Sequence, residues 1–235
     1  MGAGPGSVSS GQAGLEPAGE LDAIILAGGR AARLGGIDKP GLTVGGRTLL
    51  ATAIAAAQEA GAGQVIVVGP ERDGLPIATA RATVRFVREE PPGAGPLAAL
   101  RRGLAELPGP GADRMAVLAA DLPFVRASHL RTLLAALDGP EGRGDPEGPP
   151  RRNGAVLIDA QGYPQWLTGC WRTAVLADAA AAYTGFSLRG LMAPLEPARV
   201  LIQPGPGEPP PWLDCDTDAD LRRARAWPAA PAGDR

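Results

Sequence analysis

The sequence predicts an α/β domain with a mostly parallel sheet and helices on both faces. Short apolar runs such as Ala23-Ile24-Ile25-Leu26, Val65-Ile66-Val67-Val68 and Met115-Ala116-Val117-Leu118-Ala119 have the pattern of strands buried on both sides. Between them lie segments with apolar residues at helical spacing, so strands and helices alternate through the first four strands. That order favours right-handed crossovers and a layered sheet. A chain of 235 residues buries roughly 70% of its unfolded surface, enough for one full core.

Each element has a local reason. The first strand spans about Asp22–Leu26. Leu42-Thr43-Val44 and Gly45-Gly46-Arg47 read as an extended piece and a turn. From Thr48, Leu49, Leu50, Ala53, Ile54 and Ala57 share one helical face until Gly61 stops it. Strands follow at Val65–Val68 and Val84–Val87. Gly95-Pro96 opens a helix to about Leu107, with proline where a first turn tolerates it. The strand Met115–Ala119 ends on Ala120-Asp121-Leu122-Pro123, and Leu130, Leu133, Leu134 and Leu137 stripe a helix over Ala127–Leu137. Strands at Ala155–Ile158 and Pro164–Cys170 flank the turn Gln161-Gly162. Helices at Arg172–Ala182 and Ser187–Leu195, a strand at Arg199–Ile202 and a helix at Asp218–Ala226 complete the domain, which spans 21–227. The Gly/Ser/Ala/Pro leader (1–20), the charged Gly/Pro loop at 138–152 and the tail from 228 read as unstructured or mobile.

Composition removes several functions. Lys+Arg is 23 against Asp+Glu 25, so there is no basic excess for nucleic acid. No apolar run approaches the roughly 18 residues of a membrane span, and the leader lacks the features of a secretory signal. Cys170 and Cys215 lie on separate segments without metal-ligand spacing, as reduced thiols of a cytoplasmic protein do.

Chemistry concentrates in Leu26 to Pro40, LAGGRAARLGGIDKP, directly after the first strand. Glycines let backbone N–H groups approach an oxyanion, and Arg30, Arg33 and Lys39 add the charge a polyphosphate needs. The loop therefore predicts a nucleoside triphosphate site. It is not a P-loop, because Lys39 lacks the preceding glycine and is followed by Pro40. Nor is it the dinucleotide fingerprint, since its glycines are paired and then separated by five residues. Protein-kinase signatures are missing as well. Ligands of open parallel sheets bind beyond the carboxyl ends of strands, where both this loop and Asp121 fall.

The order LAGG, three residues, Arg33-Leu34-Gly35, then Asp38-Lys39 resembles the signature of the molybdenum cofactor guanylyltransferases. The resemblance runs from about Leu21 to Ala226. Gly95-Pro96-Leu97-Ala98-Ala99 resembles the family's GPLAG segment with Ala99 for a glycine. Ala120-Asp121-Leu122-Pro123-Phe124 is similar to its Cys-Asp-(Met/Leu)-Pro-Phe segment. Asp214-Cys215-Asp216-Thr217-Asp218-Ala219-Asp220-Leu221 resembles N-x-N-T-P-x-D-L, with both asparagines replaced by aspartate and proline by Asp218. The resemblance implies a three-layer, Rossmann-like nucleotidyltransferase fold. It implies nucleotide contacts from Leu26, Ala27, Gly28, Gly29 and Gly95, phosphate contacts from Lys39 and Arg33, and a nucleotide-associated Mg²⁺ on Asp121. Where the family has a nucleotide-contacting asparagine and an aspartate, the nearest positions here are Gly69 and Glu90. By the same resemblance Gln165, Arg189 and Asp214 fall on the acceptor side, with an ordinary surface position the alternative for Gln165 and Arg189.

Attack on an α-phosphorus builds charge on oxygens, which cations and positioned N–H groups stabilise. A phosphate monoester acceptor is already an anionic nucleophile, so no general base is needed, and His129 reads as a solvated helix residue. Arg33, Lys39 and Asp121 are then the catalytic set, with Asp216 a second carboxylate for the metal or the acceptor. Asp121 as a helix N-cap, Asp38 as a partner for a nearby cation, and Asp214 and Asp216 as helix-dipole partners are the structural alternatives. The expected reaction moves GMP from GTP onto the phosphate of a molybdopterin-type cofactor with release of pyrophosphate. The alternatives are CTP, a sugar phosphate or other small phosphate acceptor, or a nucleotide-binding accessory protein without turnover. Handing on an unstable product implies transient contact with cofactor-synthesis or acceptor proteins.

Overall fold

The structure, a computed structural model, describes residues 20–28, 39–72, 75, 78–79, 82–107, 111–139 and 152–227. The leader before residue 20, most of the 138–152 loop and the tail from 228 lie outside them.

Strand β1 (Leu21–Leu26) is followed, beyond the glycine loop, by a short 3-10 turn at Lys39–Gly41 and a small hairpin, β2 (Thr43–Val44) and β3 (Arg47–Thr48). Helix α1 (Leu49–Glu59) begins on Thr48, whose side chain accepts from the Ala51 N–H. It ends ahead of Gly61, at φ +104°, a conformation that side chains rarely adopt. Then come β4 (Ala62–Val68), β5 (Ala78–Thr79), β6 (Ala82–Val87), α2 (Pro96–Ala105), β7 (Arg114–Ala119) and α3 (Ala127–Asp138). The chain continues through β8 (Gly154–Ile158), β9 (Pro164–Arg172), α4 (Thr173–Ala182), α5 (Leu188–Met192), β10 (Ala198–Leu201) and α6 (Asp218–Ala226).

Eight strands form one sheet in the order β10-β8-β9-β7-β1-β4-β6-β5. Pairings β1/β4, β1/β7, β4/β6 and β8/β10 are parallel. Strand β9 runs antiparallel to both β7 and β8, and β5 antiparallel to β6. The connection from β8 to β9 is too short for a crossover, so it must be a hairpin. Asp159 closes it: its carboxylate accepts from the N–H groups of Gln161 and Tyr163, and Gly162 sits at φ +83°.

The central strand explains the layers. All six residues of β1 are buried. Ala23 and Ile25 pack with α1 and α3 on one face, while Ile24 and Leu26 pack with α2, α4 and α5 on the other. Alternation in a strand places successive side chains on opposite faces, so one strand serves two cores. Helix α2 approaches closely: a Cβ on Gly103 would lie 2.7 Å from Ile24 Cγ2. A third, smaller cluster joins Val44 and Leu49 to Leu213, Cys215, Leu221 and Ala224. It fastens the C-terminal segment beside Lys39. Among the described residues, no helix is long and apolar enough to cross a membrane.

Candidate active site

Register puts four strand ends at one level. Leu26 faces both Val68 and Ala119, and Val68 faces Val87. The ladder continues one step beyond: Ala27 donates to the Val68 carbonyl at 2.9 Å, Gly69 to Val87 at 2.8 Å and Ala120 to Leu26 at 3.1 Å. The residues that leave these ends, Gly28, Gly69, Glu89 and Asp121, therefore border one surface at the sheet's carboxyl edge.

One half of that surface is charged. Lys39 opens the 3-10 turn after the glycine loop, and its Nζ lies 2.8 Å from Asp216 Oδ1. The N–H of Cys215 donates to the Asp121 carbonyl at 3.1 Å, tying the C-terminal segment to the end of β7. Asp121, Asp214, Asp216 and Lys39 thus share a small region. Desolvation first, then the charges of Asp214 and Asp216, push the Asp121 carboxyl up to about 6, with Lys39 acting the other way. Asp214 is also raised, mainly by burial and then by Asp216. Among the described residues no group of three or more His, Cys, Asp or Glu is arranged to hold a metal. The carboxylates that converge here suit an ion that takes one or two of them and completes its shell with phosphate oxygens and water.

The other half is a pocket of about 400 Å³ lined by Gly28, Gly69, Pro70, Arg88, Glu89, Pro92 and Gly93. Its buried carboxylate is Glu89, 7% exposed, whose Oε1 accepts from the Gly93 N–H at 3.0 Å. A Cβ on Gly28 would sit 3.3 Å from both Glu89 oxygens. Glu90, the sequence-based choice, is exposed and is not among the described residues of this lining, whereas its neighbour Glu89 is. Alternation past the end of β6 turns its two neighbouring carboxylates to different sides, and sequence order alone does not say which faces the loop. Gly69 is where a side chain cannot be: a Cβ there would lie 2.8 Å from the carbonyl carbon and oxygen of Ala27.

The remaining predicted residues divide. Leu26 and Ala27 are buried at the end of β1, and Gly95 caps α2 at φ +97°. Gly29, Arg30, Arg33 and Asp38 lie outside the described residues. Gln165 is spent in the β8–β9 hairpin, its Nε2 donating to Asp159 Oδ2 at 3.1 Å and the Tyr163 carbonyl at 3.3 Å. Arg189 is exposed on α5. Neither is bonded to the Lys39–Asp216 pair. Asp121 is not a helix cap, since Arg126 holds that position on α3. The N-cap of α6 is Thr217, and its first-turn carboxylates are Asp218 and Asp220, so Asp214 and Asp216 do not serve that helix end. His129, expected to be solvated, belongs to the cap of α3. Its Nδ1 accepts from the Arg126 N–H at 3.1 Å, and burial lowers its pKa to about 4. Arg88 and Glu89, which line the pocket, belong to no sequence motif; their position at the end of β6 is the one signal that points to them.

Sequence comparison fits this geometry. The MobA-like NTP transferase domain matches residues 23–200. The chain belongs to that family. Its closing element, Asp214–Leu221, lies beyond the matched residues. A molybdenum cofactor guanylyltransferase of Cereibacter sphaeroides is 33% identical over 161 residues, 68% of this chain and 74% of that protein. Molybdopterin-guanine dinucleotide biosynthesis protein A from Archaeoglobus fulgidus has the same fold, with TM-score 0.58, 16% identity, and 87% and 96% of the two chains covered. So does 2-C-methyl-D-erythritol 4-phosphate cytidylyltransferase from Thermus thermophilus, with TM-score 0.57, 21% identity, and coverage of 88% and 98%. The fold is thus common to transferases named for different nucleotides, and this nucleotidyltransferase's own pocket must distinguish between them.

Proposed function

We propose that the protein transfers GMP from GTP to the phosphate of a molybdopterin-type cofactor, releasing pyrophosphate. The observation that carries the choice of nucleotide is the buried Glu89 carboxylate against Gly28. Guanine presents two adjacent donors, N1–H and the N2 amino group, to a carboxylate that can only accept. Cytosine presents one donor beside an acceptor nitrogen, and a carboxylate there is repelled. The name of the Cereibacter relative supports the same acceptor and nucleotide.

In this reading the base occupies the Glu89 pocket, and the triphosphate runs across the glycine loop toward Lys39. Leu26, Ala27 and Gly28 border its path, Gly29 is assigned to the same contact from the sequence, and Arg33 and Lys39 neutralise the triphosphate and departing pyrophosphate. Asp121, with Asp216 as second carboxylate, would hold Mg²⁺. When bound, that ion supplies charge stabilisation at the phosphoryl oxygens. The acceptor phosphate attacks the α-phosphorus, forming a P–O bond as the bond to the β-phosphate bridging oxygen breaks. The nucleophile arrives as an anion, so no proton need be removed at the site. His129, engaged in capping, has no part in the reaction. Two buried, unpaired thiols suit work in the cytoplasm.

The experiment is a matrix. Each of the four nucleoside triphosphates is incubated with Mg²⁺ and either a molybdopterin-type acceptor or a sugar 1-phosphate, following pyrophosphate and product mass. Release is expected with GTP and the molybdopterin-type acceptor. Turnover confined to CTP or to sugar phosphate would contradict the proposal, and binding without turnover on any pair would favour an accessory role.

A further inference from the structure

We propose that Arg88 reads the O6/N7 edge of the bound guanine, supplying the base-specific donor that Gly69 cannot. This rests on the guanylyl-transfer reading above and names a determinant within it. Of the residues lining the base-side pocket, Gly28, Gly69, Pro70, Pro92 and Gly93 offer no polar side chain. Pro70 and Pro92 have no N–H, the Gly69 N–H is already given to the Val87 carbonyl, and the Gly93 N–H to Glu89. Gly69 cannot be replaced in this role by a larger residue without displacing Ala27, whose backbone would lie 2.8 Å from the added carbon.

Glu89 satisfies only half of guanine. Its carboxylate accepts, so it matches N1–H and the N2 amino group and leaves O6 and N7 needing donors. Among the described residues of the lining, Arg88 is the one side-chain donor. It is exposed and makes no hydrogen bond or ion pair with the described residues, so its guanidinium is free to close on a ligand. Successive side chains of an extended segment diverge, which brings neighbours 88 and 89 toward different edges of one planar base. A guanidinium fits O6 and N7 as a bidentate pair. Adenine would set an amino group against Arg88 and an acceptor nitrogen against Glu89.

The test measures nucleotide binding by competition against a fluorescent GTP analogue. Wild type, Arg88→Ala and Arg88→Lys are compared for GTP, ITP and 2-aminopurine riboside triphosphate, which lacks O6. Arg88→Ala should weaken GTP and ITP by about 10- to 100-fold and the 2-aminopurine nucleotide, which keeps only the N7 acceptor, by clearly less, with an unaltered melting temperature. Arg88→Lys should recover part of the loss. Equal weakening of all three, the mark of a general charge effect, would overturn the proposal, as would no change in any. Wild-type preference for CTP over GTP would instead overturn the guanylyl reading itself, before any variant is compared.

Discussion

At Asp121 the surroundings oppose the ionised form. Burial and two neighbouring carboxylates hold its pKa near 6, above the 3.8 of a free aspartate. A carboxyl raised on folding lowers stability once ionised. That effect is absent below about pH 4, grows between 4 and 6, and is complete above 6. Asp121→Asn should therefore raise stability at pH 8 by roughly 1–3 kcal/mol, with the gain vanishing toward pH 4. It should also cut turnover by at least about 100-fold. Thermal melts across pH, paired with pyrophosphate release, check both; a variant that is active or less stable at pH 8 would contradict the assignment. Glu89→Gln places a donor where guanine also donates, so it should weaken GTP by about 10-fold or more. Glu90→Gln, at an exposed position, should change GTP affinity less than about twofold. Measuring both variants tests which of the two neighbouring carboxylates meets the base.

Among the elements, α2 and the β8–β9 hairpin show what pattern reading reaches. Gly95-Pro96 predicted a helix to about Leu107, and the structure gives Pro96–Ala105. Its closeness to β1 was not legible, because it depends on Gly103 facing Ile24 across two elements distant in sequence. Gly103→Ala should destabilise by about 1–3 kcal/mol, despite a helix-propensity gain of up to about 1 kcal/mol. Ile24 is fully buried and β-branched, so it cannot give way. Denaturant melts would show the loss, and a stabilised variant would mean the two elements relax apart. The turn Gln161-Gly162 was visible in the sequence, but the Asp159 bond that absorbs Gln165 was not, since it joins two side chains across the hairpin.

Across the whole molecule, the site depends on segments at opposite ends of the chain. Lys39 meets Asp216 from 177 residues away, and the small core around Leu213, Cys215 and Leu221 holds that meeting in place. The layered fold and the strand-end location of the loop were legible because strands buried on both faces leave an unmistakable apolar run. The convergence of Lys39, Asp121, Asp214 and Asp216 needed the third core cluster, whose Val44, Leu49 and Leu221 gave no pairwise signal. Leu221→Ala should lower stability by about 2–4 kcal/mol and raise the KM for the nucleotide, although Leu221 is not itself a binding residue. A stability loss with unchanged KM would separate the C-terminal segment from the site.

The most direct measurement offers GTP and CTP together, in equal amounts with the γ-phosphates isotopically labelled, to the enzyme with Mg²⁺ and a molybdopterin-type acceptor. Product mass then reveals which nucleotide was joined. The account predicts a guanine dinucleotide, with the label leaving entirely in pyrophosphate. A cytosine product, or label retained on the acceptor, would contradict it.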